Sequence, residues 1–126
     1  MTKHSASCAC GALRVRLEAQ PLRISLCHCE ACKKRTGSAF GVAVFFDRSA
    51  AEISGPSQTF ERIGESGKQI VFHFCPACGS TVFWYPEMRP DRIALALGAF
   101  GDDSGLAPEQ AVHKEQQVPW VRIDLP

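Results

Sequence analysis

Residues 69–85 read QIVFHFCPACGSTVFWY, a pair of cysteines between two runs of aromatic and β-branched residues. Such runs favour β-strands on both sides of the pair. Pro76 presets φ for a turn, and Gly79 can adopt the positive φ that ends one. The stretch therefore predicts a hairpin whose tip presents the thiols of Cys75 and Cys78 as half of a metal site.

A redox function is the competing interpretation of this pair. In thioredoxin-like proteins a C-x-x-C pair opens a helix after a strand, whereas strand-forming residues follow Cys78 here. A zinc-binding knuckle is therefore favoured. Two thiolates leave a zinc half coordinated, and the natural donor of a second pair is the stretch Cys8-Ala9-Cys10-Gly11. That pairing would tie the start of the chain to its middle.

A third cluster places Cys27, Cys29 and Cys32 within six residues. The i, i+3 spacing of Cys29 and Cys32 puts both on one face of a helical turn. A structural zinc uses four protein ligands, whereas a catalytic zinc commonly uses three and keeps one position open. Seven cysteines thus predict one closed site and one open site, where zinc would bind water or a substrate thiol.

His28 is the one residue beside this cluster that could supply a fourth ligand and close the site. Because it lies between two ligands, we expect its ring to point away from the metal. The basic residues Lys33, Lys34 and Arg35 follow at once. They are either a solvated helix end, a site for the carboxylates of an anionic substrate, or an offset for the negative charge of a three-thiolate zinc. The sequence leaves these alternatives open.

Composition limits the possible classes of protein. The chain has 126 residues, 45% of them hydrophobic, which predicts a single domain over residues 1–126. The net charge of +1 does not favour a nucleic-acid partner. An odd number of cysteines favours zinc binding over disulfides. The sequence shows no apolar leader and no membrane-spanning run, so we expect no membrane association and a location in a reducing cytoplasm.

The rest of the chain is mainly β with one short helix. Period-two alternation marks a strand at Leu13–Leu17, and Cys29–Arg35 is expected to be helical, ended by Gly37. Five further strands are predicted at Ala39–Phe46, Gln69–Phe74, Thr81–Tyr85, Arg92–Phe100 and Trp120–Leu125.

The order of these motifs resembles that of one protein family. The motifs are Ser7-Cys8-x-Cys10-Gly11, Cys27-His28-Cys29-x-x-Cys32, Phe74-Cys75-x-x-Cys78-Gly79-Ser80 and Pro119-Trp120-Val121-x-Ile123. The chain resembles the glutathione-dependent formaldehyde-activating enzyme family, which includes centromere protein V-like domains, over about residues 5–123.

The resemblance implies a mainly β, zinc-ribbon-related fold called the β-tent, with two zinc ions per chain. It implies a structural zinc on Cys8, Cys10, Cys75 and Cys78, and a catalytic zinc on Cys27, Cys29 and Cys32. The activity implied is that of a carbon–sulfur lyase, which acts on the adduct of glutathione or a related thiol with formaldehyde or another aldehyde. The alternative is a non-catalytic module, in which two zincs stabilise a β scaffold that binds a protein or a small ligand.

Overall fold

The computed structural model describes residues 2–125, which contain ten strands, one α-helix and three short 3₁₀ turns. The helix, α1, spans Glu30–Thr36. The strands are β1 (Lys3–Ser7), β2 (Arg14–Glu18), β3 (Arg23–Cys27), β4 (Gly41–Asp47), β5 (Ala51–Ser54), β6 (Gln58–Ile63), β7 (Gln69–Phe74), β8 (Thr81–Tyr85), β9 (Arg92–Ala96) and β10 (Gln110–Val112). The prediction of a mainly β fold with a short helix after the middle cysteine cluster is confirmed.

The strands form two sheets. A three-stranded antiparallel sheet has the order β1-β2-β5, and a seven-stranded sheet has the order β10-β3-β4-β9-β8-β7-β6. The larger sheet is antiparallel apart from β10, which pairs parallel to β3 at one edge. Strand β6 forms the other edge, paired with β7.

The main core lies between the two sheets. Val15 and Leu17 of β2 point into it, while the arginines that alternate with them face solvent. Val44, Phe46 and Phe83 of the larger sheet belong to the same buried cluster. The period-two pattern of β2 therefore gives the three-stranded sheet one buried face, directed at this core.

The opposite face of the larger sheet carries a second, smaller cluster. It is built from Ile70, Phe72, Trp84 and Ala94. This face is close to α1, because the Arg35 side chain stacks on the Trp84 ring. Both the helix and the second cluster bear on the sites described below.

Cys29 and Gly37 define the two ends of α1. Cys29 is its N-cap, and the Cys29 sulfur accepts a hydrogen bond from the backbone N–H of Cys32. Gly37 ends it with φ of 65° and donates its N–H to the Lys33 carbonyl. The predicted helix, Cys29–Arg35, differs from the observed helix by one residue at each end.

The predicted strands Leu13–Leu17 and Ala39–Phe46 are observed as β2 and β4, with bounds shifted by one or two residues, and two other predicted strands differ more. The strand predicted to run to Phe100 ends at Ala96, and residues 97–100 form a 3₁₀ turn. The strand predicted over Trp120–Leu125 is wrong, because this segment has no strand pairing. Pro119 has no N–H to give to a sheet, and Val121 donates to the Val118 carbonyl in a local turn.

Candidate metal centres

The first and third cysteine clusters meet in a four-thiol group. The sulfurs of Cys8, Cys10, Cys75 and Cys78 all lie within 4.8 Å of one another. The Cys8–Cys10 sulfur distance is 3.6 Å and the Cys10–Cys75 distance is 3.7 Å. Zinc–sulfur bonds of about 2.3 Å in a tetrahedron require sulfur–sulfur distances of about 3.8 Å. The spacing and the donor type fit a zinc ion with four protein ligands.

Two similar turns bring these thiols together. After Cys75, the N–H of Gly79 bonds to the Cys75 carbonyl, and Gly79 has φ of 79°. After Cys8, the N–H of Gly11 bonds to the Cys8 carbonyl, and Gly11 has φ of 81°. A side chain at either glycine would strain the left-handed backbone, so each Cys-containing turn depends on the glycine that follows it.

Hydrogen bonds favour the thiolate form of Cys8 and Cys78, whereas hydrogen bonding with the thiols of Cys8 and Cys75 helps raise the pKa of Cys10 to about 11. The backbone N–H of Leu13 donates to the Cys8 sulfur at 3.3 Å, and that of Ala77 donates to the Cys75 sulfur at 3.4 Å. The Ser80 hydroxyl, 3.3 Å from the Cys78 sulfur, is the largest of several hydrogen-bonding influences that lower the pKa of Cys78 to about 5. A metal at this centre therefore meets a thiolate at Cys78 without having to displace a proton.

The middle cluster forms a separate three-thiol group. Cys27 is the last residue of β3, Cys29 caps α1 and Cys32 lies in its first turn. Their sulfurs lie within 4.8 Å of one another. The end of the strand, the helix cap and the first helical turn therefore converge on a single point. These thiols can hold a metal ion, and they fit zinc by donor type.

The three thiols are unequal in acidity. A hydrogen bond from Cys27 is the largest influence on Cys32 and lowers its pKa to about 5, against the opposing effect of burial. The positive charges of Arg35 and Arg62 lower the Cys32 pKa further. The same hydrogen bond, with burial, raises the pKa of Cys27. Without a metal, Cys32 is a thiolate that shares the Cys27 proton, and metal binding must release that proton.

His28 does not complete the three-thiol group. Neither of its ring nitrogens belongs to the set of donors within 4.8 Å of one another. Its side chain is 1% exposed and packs edge-on against Phe40, with ring centres 6.2 Å apart. Among residues 2–125, no His, Cys, Asp or Glu joins the three sulfurs as a fourth donor.

The three basic residues of α1 have different surroundings. Lys33 donates to the backbone carbonyl of Gln116, and Lys34 forms an exposed ion pair with Glu30 at 3.1 Å. Arg35 turns inward, with its guanidinium carbon 4.4 Å from the centre of the Trp84 ring. Only Arg35 of the three therefore has the placement of a site residue.

Arg62 is a site residue that sequence reasoning missed. It lies on β6, thirty residues from Cys32 along the chain, and its guanidinium carbon is 5.1 Å from the Phe72 ring centre. Its charge acts on both Cys32 and Arg35. No motif marks it, since its neighbourhood depends on how β6 pairs across the sheet.

A cleft of about 680 Å³ joins the surroundings of the two centres. Its lining includes Cys8, Gly79 and Ser80 from the surroundings of the four-thiol centre, and Arg35, Thr36 and Gly41 from those of the three-thiol centre. Gly41 lies against the three-thiol centre, because a Cβ built on it would be 3.4 Å from the Cβ of Cys32. Small-molecule sites have volumes of about 300–1,000 Å³, so the cleft has the size for one.

Two further observations bear on the class of protein. All seven cysteines are free thiols. No helix in the described part of the chain, residues 2–125, is both long and apolar enough to cross a membrane.

Comparisons with known proteins agree with this architecture. The chain matches no curated protein. A crystal structure of a Rhodobacter sphaeroides protein superposes with a TM-score of 0.62 at 16% sequence identity, over 85% of this chain and 98% of that chain. At this identity the likeness shows the fold alone.

The sequence profile described as Glutathione-dependent formaldehyde-activating enzyme matches residues 3–116. A match over nearly the whole chain, with its cysteine clusters gathered as two sets of metal donors, shows that this protein belongs to the glutathione-dependent formaldehyde-activating enzyme family.

Proposed function

We propose that the protein is a zinc-dependent enzyme of the carbon–sulfur lyase class. Its substrate would be the adduct of glutathione, or a related thiol, with formaldehyde or another aldehyde. The observation that carries this proposal is the three-thiol group of Cys27, Cys29 and Cys32, which has no fourth protein donor within residues 2–125. Family membership supports the same activity.

The two centres have different roles in this proposal. Cys8, Cys10, Cys75 and Cys78 hold a structural zinc, since Cys8 and Cys75 are buried in the main core and four thiols complete a tetrahedron. Cys27, Cys29 and Cys32 hold a catalytic zinc, for a total of two per chain. Zinc at this second centre supplies a position at which a substrate thiol binds as a thiolate.

The reaction forms one bond and transfers one proton. The thiol sulfur adds to the carbonyl carbon of the aldehyde, and the thiol proton ends on the carbonyl oxygen; the lyase direction is the reverse. The chain contributes by holding both reactants in the cleft beside Arg35 and Gly41. Holding two reactants in contact is worth up to about 7–11 kcal/mol of the barrier in well-oriented systems.

The cellular setting follows from the thiols. Zinc ligands must stay reduced, and none of the seven cysteines is in a disulfide. We therefore infer a reducing, cytoplasmic location and a small-molecule thiol as the partner.

The test is the rate of exchange between free glutathione and its formaldehyde adduct at equilibrium, measured by magnetisation-exchange NMR. We expect the zinc-loaded protein to raise this rate above the spontaneous rate, and Cys29→Ser to abolish the increase. Serine is as good an N-cap as the position offers, so α1 keeps its cap while the metal loses a thiolate. An exchange rate equal to the spontaneous one would contradict the proposal and favour the non-catalytic module.

A further inference from the structure

Two arginines from distant parts of the chain meet at one aromatic ring. The guanidinium carbon of Arg35, on α1, is 5.7 Å from the centre of the Phe72 ring, and that of Arg62, on β6, is 5.1 Å from it. Arg35 also lies 4.4 Å from the centre of the Trp84 ring. Contact with the rings restricts the movement of both guanidinium groups, but two like charges packed on the same ring repel each other.

No carboxylate in the described part of the chain forms an ion pair with either arginine, and the acidic group that acts most on Arg35 is the Cys32 thiol of the metal centre itself. Within residues 2–125, the ion pairs closer than 4.0 Å involve other basic residues, such as Arg16 with Glu52 and Arg89 with Asp91. The Nε atom of Arg35 is buried and has no hydrogen-bond partner among residues 2–125. A buried, unpaired cationic donor is unfavourable, so this arrangement is that of a site whose anion is supplied from outside the chain.

Arg35 lies directly beside the three-thiol centre, and Arg62 adjoins it across the Phe72 ring. A Cβ built on Gly41 would lie 3.1 Å from Nη2 of Arg35 and 3.4 Å from the Cβ of Cys32. The absence of a side chain at Gly41 therefore leaves room for the guanidinium next to a metal ligand. Arg35 also lines the cleft of about 680 Å³, so an anion bound to it would occupy the same space as a substrate.

The two arginines carry more charge than the metal centre without substrate requires. A Zn²⁺ ion held by three thiolates would have a net charge of −1, whereas the two guanidinium groups together carry +2. The excess positive charge before substrate binds favours an anionic substrate, whether through its thiolate or its carboxylate.

We propose that Arg35 and Arg62 form a binding site for a carboxylate of the substrate, a site that selects thiols bearing an acid group within reach of the three-thiol centre. The planar fork of an arginine matches the two oxygens of a carboxylate, which favours this anion over a point charge. The stacked guanidinium groups are held in place before the ligand arrives, so little side-chain entropy is lost on binding. This inference rests on the proposed function for the identity of the ligand as substrate.

The test uses ligands without a free thiol, so its result does not depend on metal–sulfur bonding. We compare the affinities of S-methylglutathione and of its diethyl ester for the zinc-loaded full chain by calorimetry. The ester keeps the peptide and the S-methyl group, has two added ethyl groups and carries no carboxylate charge, and the variants below separate the effect of charge from that of size. We expect the ester to bind at least about tenfold more weakly to the unaltered protein, because a charge-assisted bidentate contact is lost. Equal affinities, or no binding of the free acid, would overturn the inference.

Substitutions of Arg62 test whether the difference in affinity between the acid and the ester depends on this residue. Arg62→Gln should bring the two affinities within about twofold of each other, and Arg62→Lys should restore part of the difference, since it keeps the charge without the fork. The matched control is Arg16→Gln on the three-stranded sheet, which should keep the full difference.

The zinc content is measured on the same samples. It should remain two per chain in Arg62→Gln. Loss of one zinc from Arg62→Gln with the carboxylate preference intact would overturn the inference, because the arginines would then serve only the charge of the metal centre. Failure of the proposed function would appear separately, as an unchanged rate of glutathione exchange.

Discussion

The guanidinium carbon of Arg35 lies 4.4 Å from the centre of the Trp84 ring, so a residue of the metal-binding helix packs on the middle of the large sheet. Arg35 is three residues after Cys32, and Trp84 is in β8, next to the strand that enters the four-thiol turn. The stack therefore fixes the position of the three-thiol centre relative to the sheet. It also explains why one basic residue of the helix turns inward while Lys34 stays in solvent.

Replacing this ring tests the stack as a structural contact. We expect Trp84→Leu to lower the free energy of unfolding by about 2–3 kcal/mol, because the ring is 8% exposed and packs against Phe72 and Arg35. Urea unfolding of the zinc-loaded protein measures this change in the free energy of unfolding. Trp120→Leu is the matched control: its ring is 75% exposed, so its effect should stay within about 0.5 kcal/mol. Equal effects of the two substitutions would contradict this account of the core.

The two metal centres should differ in their importance for folding. Cys75→Ala should remove one zinc and abolish cooperative unfolding, because Cys75 is fully buried and its centre joins Cys8 to Cys75 across the main core. Cys27→Ala should also remove one zinc but leave a cooperative transition, since Cys27 ends an outer part of the sheet and its ligands are close in sequence. Elemental analysis measures the zinc content, and thermal unfolding measures the cooperativity of the transition. If Cys27→Ala unfolds the protein as fully as Cys75→Ala does, the middle centre is structural.

Acid should release zinc from the four-thiol centre at a pH that depends on Ser80. The folded-state pKa of Cys78 is depressed to about 5 from the 9.0 of an ordinary cysteine thiol, so the stabilisation is full above about 9 and is lost as the pH falls through about 5. Ser80→Ala removes the hydroxyl that is the largest cause of this shift, so protons compete with zinc at a higher pH. We expect the midpoint of zinc release from this centre to move upward. An unchanged midpoint would show that Ser80 does not act on Cys78.

The sequence predicted those parts of the molecule that short-range signals define. The bounds of β7 and β8 were predicted correctly, because a cysteine knuckle with Pro76 and Gly79 marks where the strands end and begin. The helix was predicted to within one residue, because Gly37 terminates it. The metal-donor groups likewise depend on cysteine spacing and turn residues, which are visible in the sequence.

Long-range pairing accounts for what the sequence did not predict. The edge strands β6 and β10 are partly polar and have no buried residue, and they form because neighbouring strands offer hydrogen bonds. The placement of Arg62 near Cys32 follows from that pairing and not from any local pattern. The predicted strand over Trp120–Leu125 failed for the opposite reason, since its apolar residues suit a strand but it pairs with no neighbour in the sheets.

The central claim is that the middle centre keeps a position open for a substrate thiol. Cobalt(II) in place of zinc makes this visible, because each coordinated thiolate adds a sulfur-to-metal charge-transfer absorption. We predict that glutathione increases this absorption in the cobalt-loaded protein, that S-methylglutathione does not, and that Cys29→Ser removes the response. An absorption that glutathione leaves unchanged would contradict the claim, because the centre would then have no position for a thiolate from outside the chain.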